Sequence, residues 1–342
     1  MGAKTEIAWT DSTWNPIRGC SMAPGSENGG CLNCYACRQA ARGLPGLCFP
    51  DGKPAARCLA SRPRWTGRVE LIPSMLDIPL RRKKPTTWFV NSMSDLFHEA
   101  LPDQAIDRVF AVMALCPQHT FQVLTKRPER MRAYVSDTSF HGRGLGNDVV
   151  TRLADILGVA PVQIRRRWPL PNLWKGVSCE DQKTADERIP LVLQTPAALR
   201  FVSLEPMLGP VDLKGWLIDE IYKRAFNVGR LDWVILGGES GPGARPMHPQ
   251  SVRTVRDQCV EAGVPFFFKQ WGESRPWDPG DPKSHSFILR YDGQVGCLAD
   301  LDRDANPHMA GRRPAIMVRV GKRAAGHLLD GKEWRQMPEV KR

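Results

Sequence analysis

The 342-residue chain has no long apolar run. Its strongest, Val264-Pro265-Phe266-Phe267-Phe268, is far short of the about 20 residues needed to cross a bilayer, so a spanning helix and a membrane partner are not expected. The first residues, Met1 to Glu6, lack the apolar core of a signal peptide. Export is therefore not expected, and a cytoplasmic location is. No low-complexity tract or short repeat recurs, which leaves out fibrous and repeat architectures. No G-x-G-x-x-G follows the first predicted strand, so a dinucleotide-binding fold lacks its fingerprint. Acidic residues are in deficit: 36 Asp and Glu face 48 Lys and Arg, a net charge of +12. That excess favours anionic partners, nucleic acid first, or is a basic surface that only maintains solubility.

The charge is unevenly spread. Arg38 to Lys84 holds 11 basic and 3 acidic residues and ends in Arg81-Arg82-Lys83-Lys84. Arg165-Arg166-Arg167 and the stretch from Arg312 to Arg323 are further basic clusters.

Short apolar runs recur, each ending in small, polar or charged residues. Trp88 to Val90 leads into Asn91-Ser92-Met93-Ser94-Asp95, Thr120 to Leu124 into Thr125-Lys126-Arg127, and Trp174 to Val177 into Ser178-Cys179-Glu180. Leu199 to Val202 leads into Ser203-Leu204-Glu205-Pro206, Trp233 to Leu236 into Gly237-Gly238-Glu239, and Pro265 to Phe268 into Lys269-Gln270-Trp271. Such runs predict buried parallel strands. A further strand is expected near Thr5 to Thr10. Helical periodicity over Asp103 to Cys116 and Gln250 to Ala262 alternates with the strands, as in βαβ units. The expected fold is α/β: an incomplete parallel (β/α) barrel of six or seven strands over residues 1–276. A helical insertion at about 136–172 and a β-rich extension at 277–342, with a turn at Asp292-Gly293, complete it. In such a barrel functional groups collect at the carboxyl ends of the strands, and here six strands each deliver a polar or ionisable residue there. Ordinary polar strand-ending loops are the plainer explanation.

Cysteine is concentrated at the start. Six of ten lie in the first sixty residues: Cys20, Cys31, Cys34, Cys37, Cys48 and Cys58. In a reducing compartment clustered thiols point to metal or redox chemistry. Cys31-Leu32-Asn33-Cys34 is a C-x-x-C that can present two thiolates to one centre, with Cys20 closing the set. Three thiolates on a four-iron cluster leave one iron open, whereas four on zinc, with Cys37, make a closed structural site. Cys116, Cys179, Cys259 and Cys297 are expected to be small buried residues. His98 is either an acid/base candidate or a helix-start residue bonded to Glu99 or the backbone.

The ordered blocks Thr10 to Pro16, Gly19-Cys20, Cys31-x-x-Cys34-Tyr35-Ala36, Val90 to Glu99, Leu124 to Pro128, Ser203 to Pro206, Gly237 to Gly243, Phe268 to Gly272 and Val320 to Gly326 resemble the phage and prophage three-Cys-motif family of unknown function. The strand-end blocks also resemble the spore photolyase-like branch of the radical S-adenosylmethionine (SAM) superfamily. The first cysteine gap, ten residues, departs from that superfamily's C-x-x-x-C-x-x-C, and it is also longer than is usual in the three-Cys-motif family, with Gly25 to Gly30 as the apparent insertion. The resemblance implies a [4Fe–4S] cluster on Cys20, Cys31 and Cys34. SAM would be bound there and cleaved reductively to a 5′-deoxyadenosyl radical. Ser92, Ser94, Asp95, Lys126, Glu180, Glu205, Gly237, Gly238 and Glu239 would bind or position cofactor and substrate. Cys179 would be a hydrogen-atom donor, or simply a packed thiol. The implied substrate is nucleic acid or a nucleotide, and the implied reductant a protein such as flavodoxin or ferredoxin. Two rival functions stand beside this one: a non-catalytic zinc- or cluster-stabilised nucleic-acid-binding protein, and a radical SAM enzyme acting on a peptide or small metabolite.

Overall fold

The computed structural model describes residues 5–26, 29–44, 46–59, 62–136, 149–217, 229–298 and 313–339. Seven strands form one sheet: β1 (Ser12–Trp14), β2 (Thr87–Val90), β3 (Thr120–Thr125), β4 (Leu173–Ser178), β5 (Leu199–Leu204), β6 (Trp233–Gly237) and β7 (Phe266–Gln270). They neighbour one another in that order. The pairs β1-β2, β2-β3, β3-β4, β5-β6 and β6-β7 are parallel. Helices occupy the connections: α1 (Tyr35–Ala40), α2 (Asp103–Leu115), α3 (Pro128–Ser136), α4 (Val149–Leu157), α5 (Gln182–Gln194) and α6 (Pro249–Glu261). A parallel sheet in sequential order with helices between its strands is compatible with the expected incomplete barrel. Among the described residues no helix is long and apolar enough to cross a membrane.

Six of the seven expected strands form where the apolar runs predict. The exception is the first. Thr5 to Thr10 does not form a strand; the chain turns there, with Thr10 N–H bonded to the Ile7 carbonyl. The strand starts at Ser12 and alternates buried, half-buried, buried. Trp14 supplies the apolar anchor, its indole N–H donating to the Met75 carbonyl at 2.7 Å. Polar neighbours on both sides disguise this strand, because only two of its three side chains face the interior.

The chain divides into two compact units. One comprises Met1–Pro24, Cys34–Val177 and Pro190–Arg200. Its core holds Trp14, Trp88, Phe121, Phe97 and Phe110, together with the buried face of α2: Ile106, Val109, Phe110 and Met113. Lys175, within β4, is fully buried. Its Nζ donates to the Pro196 carbonyl at 3.0 Å, and burial, helped by the Arg200 charge, pushes its pKa down to about 7. The expected helical insertion includes α4; its residues 137–148 lie outside the described ones.

The other unit comprises Gly25–Asn33, Ser178–Ile189 and Phe201–Arg342. Phe201, Trp233, Phe266, Phe267 and Phe268 form its core with Val252, Val255 and Cys259 of α6. An antiparallel sheet follows, of β8 (Ser274–Pro276), β9 (Ser286–Leu289), β10 (Val295–Gly296) and β11 (Ala315–Arg319) in the order β8-β11-β9-β10; its first strand precedes residue 277, where the β-rich extension is expected to begin. The turn at Asp292-Gly293 joins β9 to β10, with Gly293 at a φ of +92° that favours glycine. Residues 299–312, including Arg312 of the third basic cluster, lie outside the described ones.

Candidate functional site

In the first unit the residues after β1 and β2 are bound to each other. The Asn15 side-chain oxygen accepts from the Ser92 hydroxyl at 3.2 Å and the Met93 N–H at 3.0 Å. Asn91 adopts a positive φ of 59°, and its side-chain oxygen receives the Ile17 N–H at 3.4 Å. The Ser94 hydroxyl donates to the Ile17 carbonyl at 2.9 Å, and the Tyr35 hydroxyl donates to the Ser92 carbonyl.

Asp95 is buried and fully engaged. It accepts from the Thr125 hydroxyl at 2.7 Å, the Phe97 N–H at 3.0 Å, the Lys126 N–H at 3.1 Å and Arg127 Nη1 at 3.3 Å. Arg127 Nε lies 2.9 Å from both Glu99 oxygens, and its Nη2 donates to the Ser21 carbonyl at 3.3 Å and hydroxyl at 3.1 Å. Burial pulls the Arg127 pKa down, but Asp95, Cys20 and Glu99 outweigh it and the net direction is up. The guanidinium is therefore a fixed positive charge beside Cys20. His98 is buried, its Nδ1 accepts the Ala100 N–H at 3.1 Å, and its Nε2 lies 2.7 Å from the Ser21 hydroxyl. Burial, then the Arg127 charge, lowers its pKa. A neutral imidazole accepting at Nδ1 carries its hydrogen on Nε2, which donates to Ser21.

In the second unit the same arrangement occurs twice. Glu180 is fully buried and accepts from Arg188 Nη1 at 3.0 Å. Arg188, on α5, also donates to the Ser178 carbonyl at 2.6 Å and to the Ser26 hydroxyl at 2.8 Å. Glu239 accepts from Arg245 Nη2 at 2.6 Å, Arg245 Nε at 2.9 Å, the Arg245 N–H at 2.9 Å and the Asn33 amide at 3.0 Å. Burial raises the Glu239 pKa, and the Arg245 and Asn33 hydrogen bonds reverse this to a net lowering. Arg245 Nη2 also reaches the Gly29 carbonyl at 2.9 Å. Three strand-end carboxylates thus each hold an arginine, and each arginine reaches a residue of the cysteine-bearing segment: Ser21 in the first unit, Ser26 and Gly29 in the second.

Glu205 is different. It pairs with Lys269 at 2.7 Å, also accepts from the Ser203 hydroxyl at 3.1 Å, and both charged groups keep some solvent contact. A Cβ on Gly237 would stand 2.7 Å from this carboxylate, and one on Gly238 would stand 2.1 Å from the Trp271 carbonyl. Protein neighbours therefore account for both glycines. Cys179 is fully buried, with its N–H donating to the Ser203 carbonyl at 3.0 Å. Arg188, Arg245, Lys269, Asn33 and Asn15 were not singled out from the sequence. The signal available was that a buried carboxylate demands a counter-charge, and Arg188 and Arg245 follow theirs within eight residues.

All the described cysteines are free thiols. Cys20 and Cys34 lie in the first unit and Cys31 in the second; all three are partly exposed. Cys37 is buried against Ala40, Phe49, Ala55 and Ala56. Cys116 and Cys259 are buried, and burial pushes both thiols up, Cys116 to about 11. Cys297 corrects the expectation of a buried residue, because it is exposed. Among the described residues no three His, Cys, Asp or Glu side chains are gathered as for one metal ion. Each of Cys20, Cys31 and Cys34 is a partly exposed thiol, the ligand type that an iron–sulfur cluster takes. Cys34 packs against the same hydrophobic cluster that holds Cys37.

No curated protein and no solved structure matches this chain. One family model matches, over residues 4–338, which is nearly the whole length, and it carries no stated activity. The chain belongs to the family described as protein of unknown function (DUF5131).

Proposed function

We propose that the chain is a radical SAM-type iron–sulfur enzyme, with Cys20, Cys31 and Cys34 as the ligands of a [4Fe–4S] cluster and nucleic acid or a nucleotide as substrate. Such a cluster, when bound, passes one electron from an external reductant of the flavodoxin or ferredoxin type to SAM, which splits into methionine and a 5′-deoxyadenosyl radical able to take a hydrogen atom from substrate. The observation that carries the reading is the set of strand-end arginines. Arg127, Arg188 and Arg245 each span from a carboxylate at a strand end to the segment bearing the thiols. Elaborate anchoring of a loop by buried charge is costly, and it suits a loop whose sulfurs must be held in fixed positions.

This division of labour refines the roles. Asp95, Glu180 and Glu239 hold the loop through their arginines. Lys126, Ser92 and Ser94 are assigned to the SAM methionyl group or ribose, the two hydroxyls accepting from it while they donate to Asn15 and the Ile17 carbonyl. Glu205 and Lys269, a pair at the ends of β5 and β7 that keeps some solvent contact, are suited to meet a polar substrate group. His98 donates to Ser21 and positions the residue after Cys20. The basic composition supports an anionic substrate.

The test is anaerobic reconstitution with iron and sulfide, followed by assay of 5′-deoxyadenosine with SAM and dithionite. Wild type is expected to form it steadily, and Cys34→Ala to form none. A wild-type preparation with four irons per chain that leaves SAM intact overturns the reading.

A further inference from the structure

Ala56–Leu59 and Arg62–Trp65 form a two-stranded antiparallel ribbon. Its register places Ala56 opposite Trp65, Arg57 opposite Arg64, Cys58 opposite Pro63 and Leu59 opposite Arg62. Alternation then puts Arg57, Leu59, Arg62 and Arg64 on one face and Ala56, Cys58, Pro63 and Trp65 on the other. The second face is anchored: Ala56 is fully buried and Trp65 packs on the cluster of Cys37, Ala40, Phe49 and Ala55. All four residues of the first face are exposed.

Among the described residues none of these three guanidiniums has a hydrogen-bond or ion-pair partner. The neighbouring acids are already taken. Asp51 holds Arg68 and Lys53, Glu70 holds Arg68, and Asp77 holds Arg81. Arg57 and Arg64 stand directly opposite each other, and like charges in cross-strand positions destabilise a sheet. The ribbon keeps an unfavourable charge pair that an anion lying across it would relieve. Arginine's planar fork matches phosphate oxygens two at a time. A two-stranded ribbon also has the width that a duplex major groove admits. A lipid surface would call for apolar residues among the basic ones, and this face offers a single leucine.

We infer that the ribbon of Ala56–Leu59 and Arg62–Trp65 is a docking surface for duplex nucleic acid, with Arg57, Arg62 and Arg64 on its phosphates. The inference rests on the nucleic-acid reading of the function and gives it a place on the molecule. It does not depend on the cluster, because binding is measured on full-length protein without iron, SAM or reductant.

The probe is a fluorescent 25-base-pair duplex of arbitrary sequence, titrated by anisotropy over a range of salt. Wild type is expected to bind with strong salt dependence. Arg57→Ala/Arg64→Ala is expected to bind roughly tenfold or more weakly, each arginine supplying charge-assisted hydrogen bonds. Its log–log salt slope is expected to be shallower by about 1.8, at about 0.9 for each phosphate no longer neutralised. Arg81→Ala, which removes an arginine that already has a carboxylate, is expected to bind like wild type. Thermal melting of the double variant at or above the wild-type midpoint separates a binding defect from a folding defect. Equal binding by the double variant overturns the inference. So does equal ribbon-dependent affinity for a single strand of the same length, or displacement of the duplex by phosphatidylglycerol vesicles at equal phosphate.

Discussion

The strand ends and the two-stranded ribbon use the same side chain in opposite ways. At the strand ends Arg127, Arg188 and Arg245 each sit against a carboxylate, with much of their hydrogen-bonding capacity given to the cysteine-bearing segment. On the ribbon Arg57, Arg62 and Arg64 stand in solvent with no carboxylate among their described neighbours. The first arrangement is architecture, since a buried guanidinium must have its counter-charge. The second is an open valence, since an exposed one does not need a partner and can accept one from outside. Counting arginines would class both regions as basic; only the pairing separates them.

That contrast can be broken most directly at Arg188. Arg188→Ala leaves Glu180 buried without its partner and is expected to cost about 3–5 kcal/mol in urea unfolding. The neutral pair Glu180→Gln/Arg188→Met should recover most of it; a loss below about 1 kcal/mol would remove the distinction. Arg127→Ala should cost less, about 2–3 kcal/mol, because Glu99 is more than half exposed and water screens that part of the network. It should also slow alkylation of Cys20 by iodoacetamide, because a thiolate there loses its neighbouring positive charge, whereas a purely distant structural role would leave the rate unchanged.

Lys175 is a third kind of cation, buried with a carbonyl for a partner and, among the described residues, no carboxylate. Its folded pKa of about 7 lies below its ordinary value of 10.5. Between those values the unfolded chain binds a proton that the folded chain does not. Stability should therefore fall as pH drops from about 10.5 to about 7, by up to about 1.4 kcal/mol per unit, and the penalty should stay constant below that window. Lys175→Met should flatten this part of the stability–pH curve, read by urea midpoints at several pH values.

The smallest effects belong to the ribbon. Arg57→Ala/Arg64→Ala should change stability by no more than about 0.5 kcal/mol, in the stabilising direction. Arg81→Ala removes only an exposed pair and should be within the same margin of zero. A large loss in the double variant would mean that the ribbon arginines are structural after all.

Much of the fold was legible because buried parallel strands are short apolar runs bounded by polar ends, and six of the seven sheet strands have that form. The first strand was not, since Trp14 is its only large apolar residue. The cysteine spacing separated Cys31 and Cys34 from the scattered thiols, and burial supports that for Cys116, Cys179 and Cys259, though not for the exposed Cys297. The site was legible as a set of strand-end residues but not as a network. Asp95, Glu180 and Glu239 were each expected to meet a ligand, whereas each meets an arginine. Charge pairing across 8 or 32 positions has no local pattern, and it is fixed only when helix and strand ends come together. The ribbon had a local signal in the alternating arginines at 62 and 64, but its lack of acidic partners needed the fold. Lys175, embedded between Trp174 and Gly176, carried no sequence sign of full burial.

The measurement closest to the core of the proposed function is metal analysis of anaerobically purified and reconstituted protein, paired with electron paramagnetic resonance after reduction. Near four irons per chain are expected, with a reduced-cluster signal that changes shape when SAM is added and that is absent from the Cys20→Ala, Cys31→Ala and Cys34→Ala variants. A colourless protein with one zinc per chain, or a cluster signal indifferent to SAM, contradicts it.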